Sequence, residues 1–174
     1  MANELIASWG PADLRRNTSV GYDSRLSRSI VGGGAVDGIA LPKNADLSCN
    51  LIVKVPGNAT LTTGVKFDLV VIDDGKEAFD LGKVAVLGVA VKVLDDNTDS
   101  LDAAVGGGAE VTGNATLAST SGVVRVVTIS VPNASLDGAA AGDTILVRIR
   151  RVADNASDTL NGRVLLLSAA AYAY

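Results

Sequence analysis

A chain of 174 residues, 48% of them apolar, is long enough to bury a core; because aromatics make up only 3%, that core must come from Val, Leu, Ile and Ala. The net charge of −4 argues against a nucleic-acid binder relying on a general positive field. With no histidine and a single cysteine, Cys49, the chain cannot form Ser-His or Cys-His nucleophile pairs, an internal disulfide or a cysteine zinc site.

Residues 1–47 show little alternation. They contain Pro11, Pro42 and a Gly32-Gly33-Gly34 break, with turn residues throughout. The opening Met-Ala-Asn-Glu-Leu lacks the basic stretch and apolar run of a secretory signal. Trp9 and Tyr22, two of the six aromatics, lie here, where a disordered tail would be poor in such anchors. Between Leu14 and Arg28, four arginines (Arg15, Arg16, Arg25 and Arg28) face one acid, Asp23. The pattern predicts an extended, basic, aromatic-tipped N-terminal arm over 1–47, lying on a neighbouring subunit or on another protein. Arginine and aromatic side chains carry interface energy, so Trp9, Arg15, Arg16, Tyr22, Arg25 and Arg28 are the expected partner-binding residues. Four arginines on an acidic chain favour protein over nucleic acid as the partner.

From residue 48 onward the period changes to two. Strands are predicted at 49–56, 65–73, 82–94, 109–118, 122–131, 143–152 and 163–174, separated by Asn, Asp, Gly and Pro turns. Val65, Phe67, Leu69 and Val71 share one face, as do Leu87, Val89, Val91 and Val93. Ile145, Val147 and Ile149 alternate with Leu146, Arg148 and Arg150. A short helical turn is predicted near Asp99 to Val105. Strands at this spacing predict an all-β fold: an antiparallel β-sandwich of jelly-roll type over 48–174, preceded by the arm. No uninterrupted apolar window is long enough for a membrane span. The five Asn-x-Ser/Thr triplets, at Asn17, Asn58, Asn114, Asn133 and Asn155, read as turn chemistry.

Candidate chemistry is sparse. The run Asp95 to Asp102 places oxygens at alternate positions, but Ser100 replaces the glycine of a calcium loop and Gly106 its closing glutamate, so it reads as a solvated acidic turn. Asp73-Asp74-Gly75 reads as a hairpin turn. Gly32-Gly33-Gly34 and Gly106-Gly107-Gly108 lack the Lys and hydroxyl of a phosphate loop and read as connections. Arg148, Arg150 and Arg151 are expected to pair with Asp143, Asp154 or Asp158 at strand ends, the alternative being an interface for an acidic partner. Cys49 and Phe67 read as core; Tyr172 and Tyr174 read as a small exposed patch or a subunit contact. A sandwich glycosidase could act with two carboxylates and no histidine, but the acids here cluster in turns. No catalytic, cofactor-binding or metal-ligating residue is expected.

The segments Val126 to Pro132, Leu136-Asp137-Gly138 through Thr144, Val147 to Arg151, Asp158 to Gly162 and Val164 to Tyr174 together resemble the C-terminal part of small jelly-roll proteins of tailed bacteriophages, and Leu51 to Pro56 looks like their first sandwich strand. The resemblance covers residues 49–174, is strongest over 126–174, and is one of pattern rather than of an invariant motif. It implies a capsid decoration (cement) protein: a homotrimer on the outer capsid surface, assembled in the host cytoplasm, clamping neighbouring major capsid protein subunits, with no nucleic-acid or membrane partner. The arm matches nothing in that family. The alternative is a binding module of a tail fibre or other virion appendage that recognises a host or receptor.

Overall fold

The computed structural model describes residues 4–10, 15–17, 25–29, 35–43, 48–75, 80–94 and 108–174. Eleven strands are found there: β1 (Glu4–Trp9), β2 (Arg15–Asn17), β3 (Arg25–Ser29), β4 (Ala35–Pro42), β5 (Ser48–Lys54), β6 (Gly64–Asp73), β7 (Val84–Val93), β8 (Val111–Thr116), β9 (Arg125–Pro132), β10 (Thr144–Arg151) and β11 (Arg163–Ala173). A 3-10 turn at Asn133–Ser135 follows β9, and no α-helix occurs among the described residues. All strand pairs are antiparallel. The first sheet runs β3-β4-β11-β6-β9, with β1 added on β11; the second runs β2-β5-β10-β7-β8. This is the expected all-β jelly-roll sandwich, and all seven strands predicted from residue 48 onward are present.

Alternation builds the core in layers across the strands. In the first sheet Phe67 pairs with Ile129 on one side and Ala171 on the other, and Leu69 with Val127 and Ala169. In the second, Ile149 lies between Cys49 and Val89, and Val147 between Leu51 and Val91. These side chains belong to one buried cluster between the sheets. Alternating large and small residues across neighbouring strands lets a core poor in aromatics close-pack. Small β11 residues (Ala169, Ala171 and Ala173) leave room for Phe67 and Trp9.

A bulge in β11 splits its edge between two partners. Leu167 is the extra residue, so that Leu166 and Ala169 both face the core, opposite Val71 and Leu69. Before the bulge β4 pairs with Arg163 to Leu166; after it β1 pairs with Ala169 to Ala173. Leu167 joins Ala40, Ile72 and Leu165 in a second, smaller buried cluster.

The expected boundary between an arm over 1–47 and a body over 48–174 is corrected by this pairing. Strands β1, β3 and β4 extend the first sheet, β2 extends the second, and Ile6, Trp9, Ile39 and Leu41 are part of the core. The segment lacks a readable period for physical reasons. β2 has three residues, β1 has a register shift between Leu5 and Ala7, and β4 buries the consecutive Ile39, Ala40 and Leu41. A strand laid on the edge of an existing sheet needs no long alternation of its own.

At position 64 the backbone requires glycine. Gly64 opens β6 at φ 144°, and a Cβ there would collide with the Val131 carbonyl of β9. Gly64→Ala is expected to destabilise the fold by about 1–3 kcal/mol, read from urea unfolding.

The short helical turn near Asp99 to Val105, the acidic run Asp95 to Asp102, Gly32-Gly33-Gly34, Gly106-Gly107 and Tyr22 lie outside the described residues.

Candidate binding surface

The side chains with the most chemical potential are tied into the fold. Asp158 accepts two bonds from Arg151, Nε at 2.9 Å and Nη2 at 2.6 Å, and a third from the Val86 amide at 2.9 Å. Arg151 also donates to the Gly162 and Leu160 carbonyls. Asp80, buried, accepts from the amides of Asn161 (3.0 Å) and Gly162 (2.7 Å). Asp73 accepts from the Gly75 and Gly122 amides and the Ser121 hydroxyl, at 2.9 to 3.0 Å. Each carboxylate fastens a loop to a strand end. Among the described residues no three of His, Cys, Asp and Glu come together as a metal site. Removing the Asp80 carboxylate would orphan two loop amides, so Asp80→Ala is expected to cost about 1–3 kcal/mol, visible as a lowered thermal midpoint.

The expected arginine pairings are met in part. Arg151 does take Asp158, but deep in the fold, with side chains 1% and 0% exposed, rather than at a solvated strand end. Arg150 instead grips Glu110, with Nε to Oε1 at 2.7 Å and Nη2 to Oε2 at 2.6 Å; Arg148 Nη2 lies 3.9 Å from the same carboxylate. Glu110 reaches across because position 88 is glycine, where a Cβ would sit 2.6 Å from its Oε1. Asp73 ends β6 and accepts from the Gly75 amide, but the expected hairpin turn is not formed, because β6 and β7 lie in different sheets; Asn155 accepts the local bond expected of turn chemistry, from the Ser157 amide. Asn114, by contrast, sits within β8.

The described members of the expected partner-binding set are divided between the core and the ends of the two sheets. Trp9, 9% exposed in β1 opposite Ala169, is part of the core and is not available as a partner anchor. Arg15 and Arg16 lie on β2, opposite Asn50 and Cys49, at the end of the second sheet. Arg25 and Arg28 lie on β3, opposite Ile39 and Val36, at the end of the first. Tyr22 lies outside the described residues. Of the expected set, four arginines therefore mark sheet ends, where charge discourages pairing with a further strand.

The structure shows other exposed surface. Val123, Val124 and Val126 are 43%, 50% and 62% exposed, at and just before β9. Period two gave the signal. With Val127, Ile129 and Val131 inward, Val126 falls on the outward face with Thr128 and Ser130, where an apolar residue is out of place. At one end of the same sheet Tyr172 and Tyr174 are partly exposed near Leu5, and the Lys66 ammonium lies 4.5 Å from the Tyr174 ring centre.

No protein-family model matches the sequence, and no curated protein matches it. Solved structures do share its fold. One is a xylan-binding module CBM15, 14% identical, with a TM-score of 0.50 over 99% of this chain and 97% of that one. Another is an exo-β-1,3-galactanase from Phanerochaete chrysosporium, 13% identical, with a TM-score of 0.50 over 99% of this chain but 30% of the enzyme. At these identities the likeness defines a class by fold alone, the jelly-roll β-sandwich. This chain is a member of that class.

Proposed function

We propose that this chain is a non-catalytic adhesive protein that decorates a bacteriophage capsid and stabilises it by bridging neighbouring major capsid protein subunits. The resemblance of residues 126–174 to phage jelly-roll proteins supports the setting. The observation that carries the adhesive reading is the division of labour among side chains: Asp73, Asp80 and Asp158 are committed to internal loop bonds, while apolar side chains stand exposed on the sheet surface. Because β1–β4 belong to the sandwich, the contact surface is its faces and edges rather than a free arm. A protein that binds only the assembled shell stabilises it by mass action, by about 2.7 kcal/mol per site at a hundredfold excess over the dissociation constant. The test is co-sedimentation with capsids of the phage that encodes the chain. It should pellet with shells and raise their melting temperature; protein left in the supernatant with unchanged shell melting overturns the reading.

A second reading, a receptor- or glycan-binding module of a virion appendage, draws on the fold shared with the xylan-binding module and on the partly exposed Tyr172 and Tyr174, since sugar rings stack on aromatic faces. Retention on insoluble xylan, lost in Tyr172→Ala, would favour it over capsid binding.

A further inference from the structure

The geometry points to β9 as a self-association edge, through which two copies of this chain join antiparallel, β9 to β9, into one continuous sheet. The inference goes beyond the capsid reading and does not depend on it, since a dimer in solution neither requires nor excludes a shell.

A strand at the end of a sheet exposes a row of backbone donors and acceptors, and proteins blunt such edges with charge, proline, bulges or short length. Among the described residues five strands have a partner on one side only, and they differ in this respect: β1 carries Glu4 and a register shift between Leu5 and Ala7. β2 has three residues and carries Arg15 and Arg16; β3 carries Arg25 and Arg28. β8 is interrupted by Gly113 and Asn114, both unfavourable in strands. β9 has none of these devices along its middle. Its eight residues run Arg125-Val126-Val127-Thr128-Ile129-Ser130-Val131-Pro132, with five β-branched side chains, the one charge at its start and the proline at its end. Its register with β6 is unbroken from Val71↔Arg125 to Gly64↔Pro132. Among the described residues, no strand or loop backbone pairs with its other side.

The side chains make the edge adhesive and indicate what fits it. Val126 is opposite Val70, which packs against the Ala40, Ile72, Leu165 and Leu167 cluster, so an apolar band crosses the sheet face and ends in the open at Val126 and Val124. The outward residues Val126, Thr128 and Ser130 are uncharged and hold no pattern to select a charged partner. Lys66 opposite Ser130 and Asp68 opposite Thr128 balance on the neighbouring β6, so apart from Arg125 this face has no net charge, and on a chain of net charge −4 two copies repel least at such a surface. An antiparallel strand is also its own hydrogen-bonding complement under a two-fold axis. In the register centred on Thr128, which keeps outward residues opposite outward residues, positions 125 to 131 pair and Val126 faces the partner's Ser130, twice. One strand edge is a small contact, so the dimer is weak and concentration-dependent. A two-fold dimer differs from the trimer that the phage resemblance implies.

The test is the native mass of the full chain over a range of concentrations, by light scattering or sedimentation equilibrium. The wild type should shift from monomer to dimer. The double variant Val126→Glu, Ser130→Glu puts like charges opposite each other across the join while changing two exposed positions, one of which faces Lys66 within the protomer. It should keep the circular dichroism spectrum and dimerise at least about a hundredfold more weakly. Mixing it with Val126→Lys, Ser130→Lys should restore a dimer containing one copy of each, which a merely destabilised fold would not do. A wild type that stays monomeric at its highest soluble concentration overturns the inference. So does a trimer, or a dimer indifferent to the charged variants.

Discussion

Arg151→Ala is expected to lower the unfolding free energy by about 3–5 kcal/mol, the range for deleting one partner of a buried ion pair. The size follows from what the guanidinium holds. It stands at the end of β10 and bonds both Asp158 oxygens and two carbonyls, Leu160 and Gly162, just before β11 begins. Asp158 in turn bonds the Val86 amide of β7. One side chain thus ties three segments that are remote from bulk water. Its loss leaves a buried carboxylate without its cation and two carbonyls without a donor, and each such group retains its desolvation cost. The comparison variant is Arg151→Met with Asp158→Leu. Replacing both charges removes the uncompensated ion and should recover most of the loss, although the Val86 amide and the two carbonyls stay unsatisfied. Urea unfolding of the wild type, the single and the double variant measures the cycle. A single-variant cost under about 1 kcal/mol would mean that water reaches the pair, as for an exposed ion pair, and would refute its buried role.

The parity of β10 already places that arginine on the inner face: Ile145, Val147 and Ile149 alternate inward, and Arg151 falls with them. A charge at an inward position needs a buried partner. Reading all three arginines as strand-end partners of Asp143, Asp154 or Asp158 finds the Asp158 partner of Arg151 but not its burial, and misses Glu110 as the carboxylate that Arg148 and Arg150 face. From residue 48 onward, strands and faces were legible because both sheets have one buried face and a period-two pattern marks it. β1 to β4 were not, since a bulge, short length and two-sided burial each erase that period. The open edge at β9 was half legible. Its outward valine was visible in the alternation, but which strand ends a sheet depends on pairings far apart in the chain, such as β6 with both β9 and β11.

The second large effect concerns Trp9, whose composition-based role and structural role predict opposite results. As a tip on a free arm, Trp9 could be removed with no change in stability, and only partner binding would suffer. As a core residue opposite Ala169, its truncation leaves a cavity in the buried cluster between the sheets. Trp9→Ala is then expected to cost about 3–5 kcal/mol. Deleting residues 1–10 should do at least as much damage, because it strips β1 from the pairing that runs from Glu4↔Ala173 to Trp9↔Ala169 and uncovers that stretch of the β11 edge. Trp9 is the chain's one tryptophan, so its fluorescence reports directly. Emission should be blue-shifted in the folded protein and move to the red in step with the loss of β-sheet dichroism on urea unfolding. Dichroism must also carry the measurement for Trp9→Ala, where the fluorophore is gone. If the variant unfolds at the wild-type urea midpoint, and the native emission is already that of a solvated indole, then Trp9 lies outside the core and the N-terminal segment recovers its standing as an arm. The buried position predicts the reverse: the aromatic that most resembles a handle for another protein holds this one together, and adhesion falls to the surface that the sandwich leaves unpaired.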